Sequence, residues 1–173
     1  NSALAATALA WLMETDAECG LTRDIIHEGI KTAFWEGRME ELRPNVYVDG
    51  AHNEDGIRAF LETAVSMKDA RQLLMFSAVA DKDYDTMIKE ICESGAFDEY
   101  VVCTVEYTRR AMPGSVFLDT FHKYTDKPVY LEETAGDALK RVLALRTAGD
   151  RVFIAGSLYL VGEIKRIIGS YTD

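Results

Sequence analysis

From residue 46 onward, short apolar runs take turns with stretches of helical periodicity, and this alternation constrains the fold more than any other feature. Leu73-Leu74-Met75-Phe76 and Val152-Phe153-Ile154-Ala155 are apolar at every position, which suits strands buried on both faces of a parallel sheet. The spacing predicts strands at Val46–Val48, Leu73–Val79, Tyr100–Val105, Val129–Leu131 and Val152–Ala155. Helices are predicted at Asp55–Ser66, Tyr84–Glu93, Ser115–Tyr124, Ala135–Ala144 and Tyr159–Ile168. Met39–Leu42, separated from Val46–Val48 by Arg43-Pro44-Asn45, reads as a hairpin or edge strand. Strand–helix alternation implies right-handed crossovers, so the fold class is α/β: a doubly wound, mostly parallel Rossmann-like sheet. It would have about five parallel strands plus one antiparallel edge strand, and helices on both faces.

The lead differs. Residues 1–13 are rich in Ala and Leu without Gly or Pro, and their apolar residues nearly encircle the helix they predict. Such a helix is normally buried among neighbours. Gly20 ends it, and Thr22 is placed to cap a second helix over Arg23–Phe34. The boundary between lead and body falls at residues 34–38, giving regions 1–34 and 35–173. The chain opens at Asn1 without a Met, which suggests a piece of something longer.

Composition removes several classes of function. With 19 basic against 29 acidic residues the net charge is −10, the wrong sign for a general nucleic-acid binder. The longest strongly apolar stretch, Ala3 to Met13, is too short to span a bilayer and has no basic residues before it, so neither a membrane span nor a signal peptide is expected. Cys19, Cys92 and Cys103 are odd in number and far apart, which argues against disulfide or zinc scaffolding and for a reduced, cytoplasmic setting. There is no Gly-x-Gly-x-x-Gly, P-loop, Gly-x-Ser-x-Gly or His-Glu-x-x-His motif, so self-contained catalysis is not expected.

Doubly wound sheets bind ligands in loops at the carboxyl ends of their strands. The first such loop is Asp49-Gly50-Ala51-His52-Asn53. Gly50 permits a sharp turn, Asn53 suits a helix cap, Asp49 could accept from ribose hydroxyls, and His52 could donate to a phosphate or ribose. The plain alternative is a tight turn with a cap and an exposed histidine. Gly156-Ser157 exposes amides and a hydroxyl at another strand end, or else supplies only an N-cap. Asp83 is placed to cap its helix, with Asp81 and Lys82 toward the crevice. Arg109-Arg110 offer forked donors for a carboxylate or phosphate, or are solvated surface cations.

Together, Trp35-Glu36-Gly37-Arg38-Met39-Glu40, Val48-Asp49-Gly50-Ala51-His52-Asn53, Asp81-Lys82-Asp83 and Gly156-Ser157-Leu158-Tyr159-Leu160-Val161-Gly162 form an ordered set. This set resembles the C-terminal domain of folylpolyglutamate synthase, within the Mur ligase superfamily, over residues 35–170. Gly50, where Mur ligases proper tend to carry Tyr, favours the folate branch. Glu54 departs from the usual Pro, but suits the positive end of a helix.

The resemblance implies ATP-dependent addition of L-glutamate to a folate γ-carboxylate through an acyl phosphate. It implies that residues 1–34 are the last helices of a preceding ATPase domain that holds most of the ATP and the magnesium. Arg38 would meet ATP phosphates or the transferred phosphoryl group, Asp49 and His52 the ribose and reacting region, with Asn53 beside them. Ser157 and Arg110 would face the glutamate, and no metal ligand is expected in this chain. The piece alone would be inactive, and residues 1–13, left without their packing partner, would fold back on the body or pair with another copy. Two rivals are a ligase joining amino acids to a cell-wall nucleotide precursor and a non-catalytic flavodoxin-like binding module.

Overall fold

The computed structural model describes residues 2–16, 18–106 and 109–171. The chain divides into two compact units, Asn1–Glu36 and Gly37–Asp173.

The first unit holds α1 (Ser2–Thr15) and α2 (Arg23–Lys31). Thr22 caps α2 as its sequence position suggests, its hydroxyl accepting from the Ile25 N–H at 3.2 Å. The helix stops at Lys31, short of the expected Phe34. Thr32 closes the last turn by donating through both its backbone N–H and its hydroxyl to the Glu28 carbonyl. Leu4, Trp11 and Leu12 of α1 are exposed, against the expectation that an all-round apolar helix is buried. Leu9 and Ala5 instead share an apolar groove with Leu21, Ile25, Ile26 and Ile30.

The second unit is one six-stranded sheet. Its elements are β1 (Glu40–Arg43), β2 (Val46–Val48), α3 (Glu54–Ser66), β3 (Gln72–Phe76), α4 (Tyr84–Glu93) and β4 (Glu99–Cys103). Then come α5 (Gly114–Tyr124), β5 (Val129–Glu132), α6 (Ala135–Leu145), β6 (Arg151–Ala155), α7 (Leu158–Ile167) and a 3₁₀ turn at Ile168–Ser170. The strand order is β1-β2-β6-β3-β4-β5, and only the β1–β2 pair is antiparallel. Asn45, in the left-handed region at φ 64°, turns the hairpin between them. The expected fold class is what the chain adopts.

Period-two alternation sorts the core. Leu74, Phe76, Tyr100, Val102 and Phe153 pack with α3, α4 and α5 on one face, while Leu73, Met75, Val101, Val152 and Ile154 pack with α6 and α7 on the other. Two strands end earlier than their apolar runs suggest. β3 stops at Phe76 because the β6 ladder runs out at Ala155, and the Ser77 hydroxyl turns to the Cys103 carbonyl at 2.7 Å. β4 stops at Cys103, and Thr104 spends its hydroxyl accepting from the Gly114 N–H at the start of α5.

This winding creates the crevice. β6 lies between β2 and β3, yet the helix after β6 packs on the opposite face from those after β2 and β3. The loops leaving these carboxyl ends therefore part around β6, which is where open α/β sheets take ligands.

Candidate functional site

Asp49 continues β2 by donating its N–H to the Ile154 carbonyl at 2.9 Å. Its side chain is buried, 5% of the residue remaining exposed. A buried carboxylate needs donors. Asp49 has three: Ala51 N at 2.8 Å, Met39 N at 2.9 Å and Arg38 Nη1 at 3.4 Å. The carboxylate thus binds the Arg38-Met39 turn to the end of β2, and Arg38 keeps about half of its side chain in solvent.

Gly50 lies close under the start of α7. A Cβ there would stand 2.4 Å from Leu158 Cδ2, at the tip of an exposed side chain, and the Gly50 N–H donates to the Gly37 carbonyl at 2.6 Å. The close approach expected of this glycine is made to α7. His52 is half-buried and donates from Nδ1 to the Gly50 carbonyl at 2.7 Å, which leaves Nε2 as the acceptor of the neutral ring. Asn53 is exposed and caps α3, its Oδ1 accepting from Gly56 N at 2.8 Å. With Glu54 as its first residue α3 forms normally behind the Asn53 cap.

On the other side of β6, Gly156 holds φ +108°, and a Cβ there would come within 2.5 Å of the Ser77 carbonyl oxygen. Its N–H donates to the Ala51 carbonyl at 2.9 Å, joining the two loops. Ser157, 1% exposed, caps α7 by accepting from Tyr159 N at 3.2 Å. Asp83 caps α4 as expected, accepting from Thr86 N at 3.1 Å.

His52, Val79, Lys82, Arg110, Ser157 and Tyr159 line one cleft of about 130 Å³. Arg110 is aimed there by neighbours that sequence patterns do not show. Its guanidinium donates to Asp81 Oδ2 and to the Tyr159 hydroxyl, both at 2.9 Å, and lies 5.6 Å from the centre of the Tyr159 ring. Ala80 N donates to the Arg110 carbonyl at 3.0 Å, which joins the loops after β3 and β4.

Tyr159, quoted in the sequence only as part of the Gly156–Gly162 string, gains an individual role here as the aromatic partner of Arg110. Arg38 stands in the turn before β1 and Asp49 at the carboxyl end of β2, while His52, Ser157 and Arg110 stand in the loops after β2, β6 and β4. Asn53 spends its side chain as a cap.

The cysteines have no part in this. Burial pushes the Cys92 thiol up to about 11 and the Cys103 thiol up to about 12, so both are protonated near neutral pH. Among the described residues no group of three His, Cys, Asp or Glu side chains is placed to hold a metal ion, and no helix is long and apolar enough to cross a membrane.

Residues 37–158 match the family model described as Mur ligase, glutamate ligase domain. The dihydrofolate synthase/folylpolyglutamate synthase of Bacillus subtilis is 28% identical over 170 residues, covering 96% of this chain and 38% of that protein. The folylpolyglutamate synthase of Lacticaseibacillus casei is 29% identical over 166 residues, covering 94% of this chain and 36% of its own. This chain therefore spans less than two-fifths of the length of these relatives. The solved structure of E. coli FolC in complex with DHPP and ADP superposes with a TM-score of 0.82 at 22% identity, over 96% of this chain and 38% of that one. By its matched domain the chain belongs to the Mur ligase family, as a glutamate ligase domain whose similarity runs to the folylpolyglutamate synthases.

Proposed function

We propose that the chain is the C-terminal domain of an ATP-dependent ligase that adds L-glutamate to the γ-carboxylate of a folate. In that reaction the γ-carboxylate takes the terminal phosphoryl group of ATP and ADP leaves. The glutamate amine then attacks the acyl carbon, and the tetrahedral intermediate expels phosphate and a proton to give an amide.

The observation that carries the reading is the meeting of several chain segments at the carboxyl end of the sheet. The turn before β1 presents Arg38, a cation over half exposed and tied to a buried carboxylate. The loops after β2, β4 and β6 supply His52, Arg110 and Ser157 to one cleft. Arg38 neutralises charge on the ATP phosphates. His52 serves the ribose and the reacting region, and the Asn53 loop offers its amides. Arg110 is a forked donor for a glutamate carboxylate, with Ser157 beside it. Asp49, with both oxygens occupied by protein donors, serves the site chiefly by holding Arg38 and the loop in place.

Phosphoryl transfer asks mainly for positioning and charge neutralisation, which two domains can supply from opposite sides. The described residues do not compose a magnesium site. The preceding domain, of which residues 1–34 are the last helices, supplies the metal and most phosphate contacts. The setting is cytoplasmic, and the exposed apolar residues of α1 pair two copies when the chain stands alone.

The test is direct. The purified chain, given ATP, magnesium, a folate and radiolabelled glutamate, forms no labelled folate, whereas the longer protein that carries it does. Turnover by the isolated chain, or none by the longer protein, overturns the reading.

A further inference from the structure

The turn that carries Arg38 is fastened at more points than a surface turn needs. Glu40, at the start of β1, has its side chain only 13% exposed. Its Oε2 accepts from the Gly37 N–H at 2.7 Å, and both oxygens accept from Lys165 Nζ at 2.9 Å. Burial pushes this carboxyl up, but the Gly37 N–H and the Lys165 ammonium outweigh it and hold it below its ordinary value. It is therefore a charged acceptor at neutral pH.

The other groups of the turn are also taken. The Gly37 carbonyl accepts from Gly50 N at 2.6 Å, and Met39 N donates to Asp49. Gly37 itself sits at φ +68°, where a side chain would be strained. Arg38 thus projects from a backbone clamped on both sides, by Asp49 from the end of β2 and by Glu40 from β1. Lys165 extends the second clamp to α7, the helix whose opposite end carries Ser157 and Tyr159. Eight residues of helix separate Lys165 from the Ser157 cap, about 12 Å at 1.5 Å per residue.

We propose that Glu40 and Lys165 are positioning residues for the ligase reaction, fixing Arg38 through the Gly37 turn and tying it mechanically to the cleft at the head of α7. The proposal rests on the nucleotide role given to Arg38 above. A reaction that needs an arginine in register with a second substrate gains from one rigid element reaching both, since a 1 Å misplacement can cost about 100-fold.

The experiment compares R38A, E40A, E40Q, K165M and the double variant R38A/E40A in the full ligase that carries this chain. It measures kcat and KM for ATP and for glutamate, with thermal melting to establish folding. E40A and K165M should lower kcat/KM for ATP by about 10- to 100-fold. R38A/E40A should be no worse than R38A, because the two act through one group. E40Q, which keeps an oxygen for the Gly37 N–H, should recover most of the E40A loss.

Independent effects that multiply in the double variant, or E40A and K165M variants that melt earlier but keep kcat/KM, would overturn the proposal. Should E40A fail to fold, K165M and E40Q carry the same comparison. An R38A ligase with unchanged ATP kinetics removes the role of Arg38 and this proposal together. A damaged R38A beside intact E40A and K165M removes the clamp alone.

Discussion

The two ends of the parallel strands use the same residue types to opposite effect. At the amino ends, Arg71 is held between Glu99 and Asp150 and donates to the Leu145 carbonyl as well. Arg151 is paired with Asp69, and Lys68 with Asp98. Each of these cations ends on a carboxylate of its own chain. At the carboxyl ends the carboxylate Asp49 is the buried partner, and the guanidinium of Arg38 reaches solvent.

The clefts follow the same division. A hollow of about 500 Å³ at the amino end, lined by Pro44, Lys140, Ala144 and Tyr171, is larger than the 130 Å³ cleft of His52, Arg110 and Ser157. The larger hollow lies at the end away from the proposed site. What sets that site apart is that its cations, Arg38 and Arg110, keep about half of their side chains in solvent.

This contrast can be broken by exchanging losses between the ends. Replacing Arg38 by Ala in the full ligase should cost about 100- to 1,000-fold in kcat/KM for ATP, the scale of one preorganised donor lost at developing charge. Its melting temperature should hardly move, because the side chain is half in solvent.

Replacing Arg71 by Met should do the reverse. It strands Asp150 and Glu99, with side chains 9% and 18% exposed, and should destabilise the isolated domain by about 1–3 kcal/mol in urea unfolding, less than a fully buried pair because Arg71 is one-third exposed. Turnover per folded molecule should stay the same. An R71M ligase with damaged kinetics at full stability would erase the distinction between the ends.

A smaller effect concerns acid. Burial raises the Asp150 carboxyl, but Thr147 and Arg71 outweigh it and leave the group below its ordinary value. A group lowered in the folded state adds stability above its unfolded value and loses it as pH falls through the folded one. Melting temperatures should therefore drop below about pH 4, and D150N should show a shallower drop than the parent. An identical acid slope in D150N would remove Asp150 from the account.

The smallest expected change is N53A. Losing the cap of α3 should cost about 1 kcal/mol and leave the KM for ATP untouched. A raised KM at preserved stability would place the Asn53 side chain on the nucleotide after all.

Much of this was legible before any coordinates. Leu73–Phe76 and Val152–Ala155 had to be buried strands, and Thr22, Asp83 and Ser157 were readable as caps because each stands before its helix. Gly50 and Gly156 were visible as loop glycines, but the reason for each was not. Gly50 lies against the Leu158 side chain and Gly156 is required by its positive φ and the Ser77 carbonyl, contacts between segments about 80 to 110 positions apart.

Asp49 was likewise visible as an acid in a ligand-binding loop. Its engagement by Arg38 and Met39 depends on which turn lies over it, whereas the Ala51 N–H, two residues on, is a local partner. Tyr159 stands in the Gly156–Gly162 string, but its part in holding Arg110 has no signature in sequence, since an aromatic residue in a helix is ordinary until Arg110 lies against it.

The amino-acid order alone settles what depends on neighbours in the chain: element type from periodicity, helix starts from capping chemistry, and a right-handed α/β winding from their alternation. Tertiary structure alone settles which polar groups are already satisfied. Burial decides that Asp49 serves as an anchor, and solvent access leaves Arg38 to meet a ligand. A hydrogen bond has no signature in sequence when its donor and acceptor meet only after the sheet has closed between them.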